Sequence, residues 1–114
     1  MNQDCLFCKF VSKEIPTRIA YEDDLVLAFH DIHPQAPVHV LVIPKKHYET
    51  VADVPGGDTI VSTVTEAALK VAEKLGIAKE GFRLIVNTRK AGGQVIYHMH
   101  MHLLGGRSMS TPMG

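Results

Sequence analysis

Near the C-terminal end of the chain, histidine alternates with apolar residues in Tyr97-His98-Met99-His100-Met101-His102-Leu103-Leu104. Side chains of a β-strand point alternately to opposite faces. The pattern therefore predicts a strand with His98, His100 and His102 on one face and Met99, Met101 and Leu103 on an apolar one. Imidazoles change charge near neutral pH and ligate metals, so such a face suits proton transfer, nucleophilic attack or metal binding. A polar strand face that simply looks at solvent is the plain alternative. One ion held by all three rings is awkward, because the outer α-carbons of an extended strand lie about 13 Å apart. One ring could ligate while the others do chemistry.

The rest of the composition narrows the class. Twelve basic and twelve acidic residues cancel, which leaves no basic excess for nucleic acid or an anionic membrane. At 114 residues, 46% of them hydrophobic, residues 1–114 are expected to form a single soluble domain with a small core. The start lacks a basic region followed by an apolar run, and no apolar stretch approaches the roughly 18 residues of a membrane span. A cytoplasmic location is the expectation. There the pair in Cys5-Leu6-Phe7-Cys8 reads as a metal half-site or a redox pair before it reads as a disulfide. Two buried, idle thiols remain a further possibility.

Along the chain, Phe7 to Glu14 predicts a short helix ended before Pro16, and Ile19–Tyr21 and Leu25–Phe29 predict strands around the acidic turn Glu22-Asp23-Asp24. Val38 to Ile43, apolar but for His39, predicts a buried strand stopped by Pro44. Between Asp58, a candidate N-cap, and Leu75 the apolar residues follow a helical stripe, and Gly76 suits the helix C-terminus. Phe82 to Val86 adds a strand before the loop that leads to the histidines. The sum is an α+β chain: an antiparallel sheet of about five strands, one long and one short helix, with the helices on one side.

Gly92-Gly93 can let a ligand approach the backbone and can offer amide donors to an anion, although a glycine pair is often only a turn. Asn87 and Gln94 flank it with neutral donors. His39, inside an apolar strand, needs a polar partner, either the main chain or other active-site imidazoles. There is no Walker-type loop, no serine- or cysteine-centred nucleophile motif and no acidic cluster for Mg²⁺. A mechanism through histidine fits better than one through a catalytic metal.

The sequence His98-Met99-His100-Met101-His102-Leu103-Leu104 resembles the histidine-triad signature, in which three histidines alternate with apolar residues. The likeness extends to Ala28-Phe29-His30-Asp31-Ile32, Pro34-Gln35-Ala36-Pro37-Val38-His39, Val42-Ile43-Pro44-Lys45-Lys46-His47 and Gly92-Gly93-Gln94. Gly105-Gly106-Arg107 is similar to the Hint branch, the histidine-triad nucleotide-binding proteins. This resemblance implies an α+β homodimer whose two sheets join across the interface. It also implies binding of purine nucleoside monophosphates and hydrolysis of their phosphoramidates or acyl-adenylates. It makes His100 the nucleophile, His102 the group that serves the α-phosphate and the departing amine, and His39 their support. Asp31 would hold the ribose, Phe29, Ile32 and Leu41 would line the base pocket, and Asn87, Gly93 and Gln94 would serve the phosphate. Cys5, Cys8, His47 and His98 would bind a structural zinc.

Two positions depart from the Hint pattern. Val95 follows Gly-Gly-Gln where relatives carry a polar residue, and Thr111 stands where animal members have a tryptophan. Two other activities compete with phosphoramidate hydrolysis: cleavage of dinucleoside polyphosphates, as in the Fhit branch, and a nucleotide-binding regulator that acts by docking to a partner.

Overall fold

The computed structural model of the chain describes residues 4–110, so Thr111 lies outside the described residues. Five strands, β1 (Ile19–Glu22), β2 (Val26–His30), β3 (Val38–Pro44), β4 (Phe82–Ile85) and β5 (Met101–Gly105), form one antiparallel sheet in the order β1-β2-β3-β5-β4. Two α-helices accompany it, α1 (Leu6–Val11) and α2 (Ile60–Lys74). Among the described residues no helix is long and apolar enough to cross a membrane.

Both faces of the central strands are buried. Val26, Ala28, Val40 and Val42 face α2 and pack with its Val64, Ala68 and Val71. The intervening Leu27, Phe29, Leu41 and Ile43 pack on the opposite face with Cys5, Phe7 and Cys8 of the α1 segment. This two-sided burial explains the unbroken apolar run of β3. It also corrects the expectation that both helices share one side, since α1 and α2 cover opposite faces. α1 is also shorter than expected and ends at Val11 rather than Glu14.

Local chemistry sets the element ends. The carboxylate of Asp23 accepts the N–H groups of Leu25 and Val26 at 2.8 and 3.0 Å, which closes the β1–β2 turn. One oxygen of Asp58 accepts the Ile60 N–H at the start of α2, and the other accepts the Tyr48 hydroxyl. Gly76, at φ +75°, supplies the left-handed residue that ends α2.

The histidine segment differs most from expectation. Of the three, only His102 lies in a strand, because β5 begins at Met101; His98, in a bend, and His100 precede it outside the ladder. The β3–β5 ladder runs from Val38↔Gly105 to Val42↔Met101; two residues further the register would set Met99 against Pro44, which has no N–H to give, and the Met99 N–H goes instead to the Tyr48 carbonyl. The alternation of faces survives. Met99, Met101 and Leu103 join the core beneath α2, and the three imidazoles point to the other side.

Candidate active site and metal centre

A cleft of about 500 Å³ opens on the α1 side of the sheet. Its apolar wall includes Phe7 and Phe10 of α1, Phe29 of β2, Leu41 of β3 and Ile96. His100, His102, His39 and Asp31 form the polar side. The aromatic wall is tightly assembled: Phe7 meets Phe29 edge-on at 5.3 Å between centroids, and Phe10 meets Phe29 at 5.0 Å.

Hydrogen bonds to the main chain fix the protons of His98, His100 and His39, and His39 in turn fixes that of His102. Carbonyl oxygens only accept, so a ring nitrogen that meets one must carry the hydrogen. His98 therefore donates Nε2–H to the Pro44 carbonyl at 2.8 Å, which leaves its Nδ1 as a lone pair. His100 does the reverse, donating Nδ1–H to the His98 carbonyl at 2.8 Å and leaving Nε2 as a lone pair. At His39 the Gln35 N–H donates to Nδ1 at 3.0 Å, so the proton sits on Nε2. That Nε2–H donates to His102 Nδ1 at 2.9 Å, and His102 keeps its own proton on Nε2. The outcome is two neighbouring rings, 5.0 Å apart, with opposite characters: His100 with a free lone pair and His102 with a free N–H.

These assignments require neutral rings, and burial provides them. Burial pushes His102 down to about 4, reinforced by repulsion from His100 and His39 and only partly opposed by Asp31. His100 and His39 are lowered by the same loss of water, with Asp31 again opposing. Asp31 lies 3.6 Å from His39 Nε2, and its other oxygen accepts the His33 N–H at 2.7 Å. A lone pair at a buried neutral imidazole can attack an electrophile, and the adjacent N–H can hydrogen-bond the charge that develops.

Directly behind the cleft, Cys5, Cys8, His47 and His98 bring two sulfurs and two ring nitrogens within 4.8 Å of one another. Cys5 Sγ is 3.3 Å from His98 Nδ1, Cys8 Sγ is 3.4 Å from His47 Nδ1, and the two Nδ1 atoms are 3.2 Å apart. A tetrahedral ion with bonds of about 2.0–2.3 Å would have edges of about 3.3–3.8 Å, so these spacings fit one. The Cys8 N–H donates to Cys5 Sγ at 3.3 Å, which turns both sulfurs to one point. His98, with its Nε2–H on a carbonyl, already presents the tautomer a metal ligand needs. The set could hold a metal ion.

The comparisons with known proteins agree with this geometry. A HIT domain profile matches residues 12–109. The chain belongs to the HIT domain family. It is 49% identical over 110 residues to the purine nucleoside phosphoramidase of Escherichia coli, which spans 96% of this chain and 92% of that protein. Its fold matches a HIT family hydrolase from Legionella pneumophila with a TM-score of 0.94 at 47% identity, covering 97% of this chain and 100% of that one. It also matches a Zn-bound histidine triad family protein from Mycobacterium smegmatis, with a TM-score of 0.82 at 30% identity over 94% of this chain and 78% of that one.

Of the residues singled out from the HIT resemblance, His39, His100, His102, Phe29, Asp31, Ile32, Leu41, Asn87 and Gly93 all border the cleft. Gln94 is buried, and its carboxamide is engaged with main chain: it donates to the Glu49 and Ile96 carbonyls and accepts the Arg89 N–H. The Gly92 and Gly93 amides, expected as anion donors, instead close the turn on the Arg89 and Lys90 carbonyls. Gly93 is needed for its φ of +83°. Val95 and Ile32 are 83% and 84% exposed on the cleft wall. Sequence reasoning missed the pocket role of Phe7, Phe10 and Ile96. The signal was the Cys5–Cys8 spacing itself, since a helix that delivers two ligands to His98 must also lay its aromatic residues against the neighbouring sheet.

The pH response follows from the buried rings. Once unfolded, His102 regains an ordinary value near 6.5, so between that pH and about 4 the unfolded chain holds the extra proton. Stability is therefore full above pH 6.5 and falls as pH drops toward 4. Urea midpoints measured at steps across that range are expected to decline, with a shallower decline in His102→Asn.

Proposed function

We propose that this protein hydrolyses purine nucleoside phosphoramidates of the AMP–amine type, or related acyl-adenylates, through a nucleotidyl-histidine intermediate. The observation that carries the reading is the Nδ1–H of His100 held on the His98 carbonyl, which leaves Nε2 free in the cleft beside the N–H of His102. The likeness to a phosphoramidase over nearly the whole chain supports it.

In this reading the base lies against the aromatic wall of Phe29 and Leu41, with Ile32 at its edge, and the ribose hydroxyls meet Asp31. His100 Nε2 attacks the α-phosphorus as the bond to the amine breaks, and His102 Nε2–H serves the phosphoryl oxygen and the departing nitrogen. His39 holds His102 in that tautomer. Water then attacks phosphorus and releases His100. Over the two steps water supplies a hydroxyl to phosphorus and a hydrogen to the amine, and the imidazoles end as they began. Asn87 and Gly93 shape the phosphate side, and Gln94 braces their loop. Val95 offers the leaving group an apolar contact where a polar one was expected.

Zinc is the ion that the Cys₂His₂ set suits best. A closed shell of four protein ligands has no open position, so its role is structural: when bound it ties α1 to the sheet. It supplies no group to the reaction. The HIT resemblance also supports a homodimer, and β4, with β5 as its one strand partner among the described residues, offers an edge along which the sheet can continue.

Two outcomes test this. A fluorogenic adenosine phosphoramidate should be turned over by the wild type and lost by about 10³-fold or more in His100→Ala, with an AMP adduct on His100 in acid-quenched wild type. Equal turnover in both would sink the reading, and a preference for a diadenosine polyphosphate would favour the Fhit-type alternative. Sedimentation equilibrium should give twice the 12.6 kDa chain mass; a monomer at micromolar concentration would remove the dimer.

A further inference from the structure

We propose that the metal centre is a latch for the nucleotide cleft, with Phe7 as the positioning residue that transmits it to His100. The cleft arm of this inference rests on the nucleotide reading above; the link from metal to His100 does not.

α1 has six residues, too few to persist as a helix without support. Among the described residues, the main-chain hydrogen bonds of its segment close on itself: Lys9 N–H to Cys5, Ser12 to Cys8, Lys13 to Phe10 and Ile15 to Lys9. Its position on the sheet therefore depends on side chains. Those are the apolar contacts of Phe7, Cys8, Phe10 and Val11, an exposed Lys13–Glu22 ion pair, and the two sulfurs at the metal centre.

The same helix forms a wall of the cleft. Phe7 is 4% exposed, and its ring meets both the aromatic wall and two of the three triad histidines. It stacks with Phe10 at 5.9 Å, meets Phe29 edge-on at 5.3 Å, lies nearly perpendicular to His100 at 5.1 Å, and meets His98 edge-on at 6.0 Å. His98 is thus engaged twice, as a metal-site ring and as the carbonyl that holds the His100 proton. Without an ion the four ligand atoms have little to hold them at one point, because a thiol is only a weak donor and His98 Nδ1 is a lone pair. Releasing them frees α1, withdraws Phe7 and Phe10 from the base wall, and uncovers the imidazole of His100.

The test compares zinc-loaded protein, the same protein after a strong chelator, and Phe7→Leu in both states. AMP affinity is measured by calorimetry, and reactivity of His100 toward diethyl pyrocarbonate by mass spectrometry, a readout that needs no nucleotide. A colorimetric assay of released zinc verifies the metal state. Chelation of the wild type is expected to weaken AMP binding by about 10-fold and to speed carbethoxylation of His100 by about 5-fold. Phe7→Leu should reproduce most of both effects with zinc bound, after which chelation adds less than about 3-fold. Cys8→Ser, which changes no aromatic residue, should match the chelated wild type and guards against a poorly folded Phe7 variant.

Zinc loss that leaves both readouts within about twofold overturns the latch. Full effects of chelation on a Phe7→Leu protein that otherwise behaves as wild type overturn Phe7 as the link. If AMP binds none of the forms, the nucleotide reading fails, and the His100 reactivity still decides whether metal and His100 are coupled.

Discussion

A neutral imidazole has one proton for two nitrogens, so the main-chain group that engages one nitrogen decides what the other can do. The Pro44 carbonyl takes the Nε2–H of His98 and turns its Nδ1 lone pair to the cysteines. The His98 carbonyl takes the Nδ1–H of His100 and turns its Nε2 lone pair to the cleft. At His39 the Gln35 amide leaves the proton on Nε2, and the relay through His102 ends in an N–H aimed beside that lone pair. Four histidines of the same chemistry thereby acquire different characters, three from main-chain partners and His102 from His39.

This arrangement holds only while the rings stay neutral, which is why the site is built into a sheet buried on both faces. With His102 at about 4, the neutral form outnumbers the charged one at pH 7 by about a thousandfold. The cost is a site that weakens the fold in acid. The aromatic cluster of Phe7, Phe10 and Phe29 supplies part of the desolvation, and it is assembled from a strand and from a helix that the cysteines deliver. The Cys₂His₂ cluster and the cleft are therefore two sides of one packing unit, joined at His98.

Much of this could be read from the chain. The alternation of histidine with Met99, Met101 and Leu103 gave the correct division of faces, and the helical stripe from Ile60 to Val71 gave α2 and its buried side. The ligand set Cys5, Cys8, His47 and His98 came from resemblance, and the structure brings those four together. What escaped the sequence were relations between distant segments. The triad is not one strand because Pro44, more than fifty residues before His98, ends the ladder. α1 lies opposite α2 because its cysteines must reach His47 and His98. Gln94 and the glycine amides looked like ligand donors, yet they are engaged within their own turn, and no local pattern distinguishes those two uses.

The roles of the four rings depend on where the imidazole protons sit. Long-range ¹⁵N–¹H correlation spectra of the protein at pH 7 report the tautomer of each ring. The expected pattern is the Nδ1–H form at His100 and the Nε2–H form at His39, His98 and His102. An Nε2–H form at His100, or a protonated ring at His102, would contradict the division of labour from which the function is inferred.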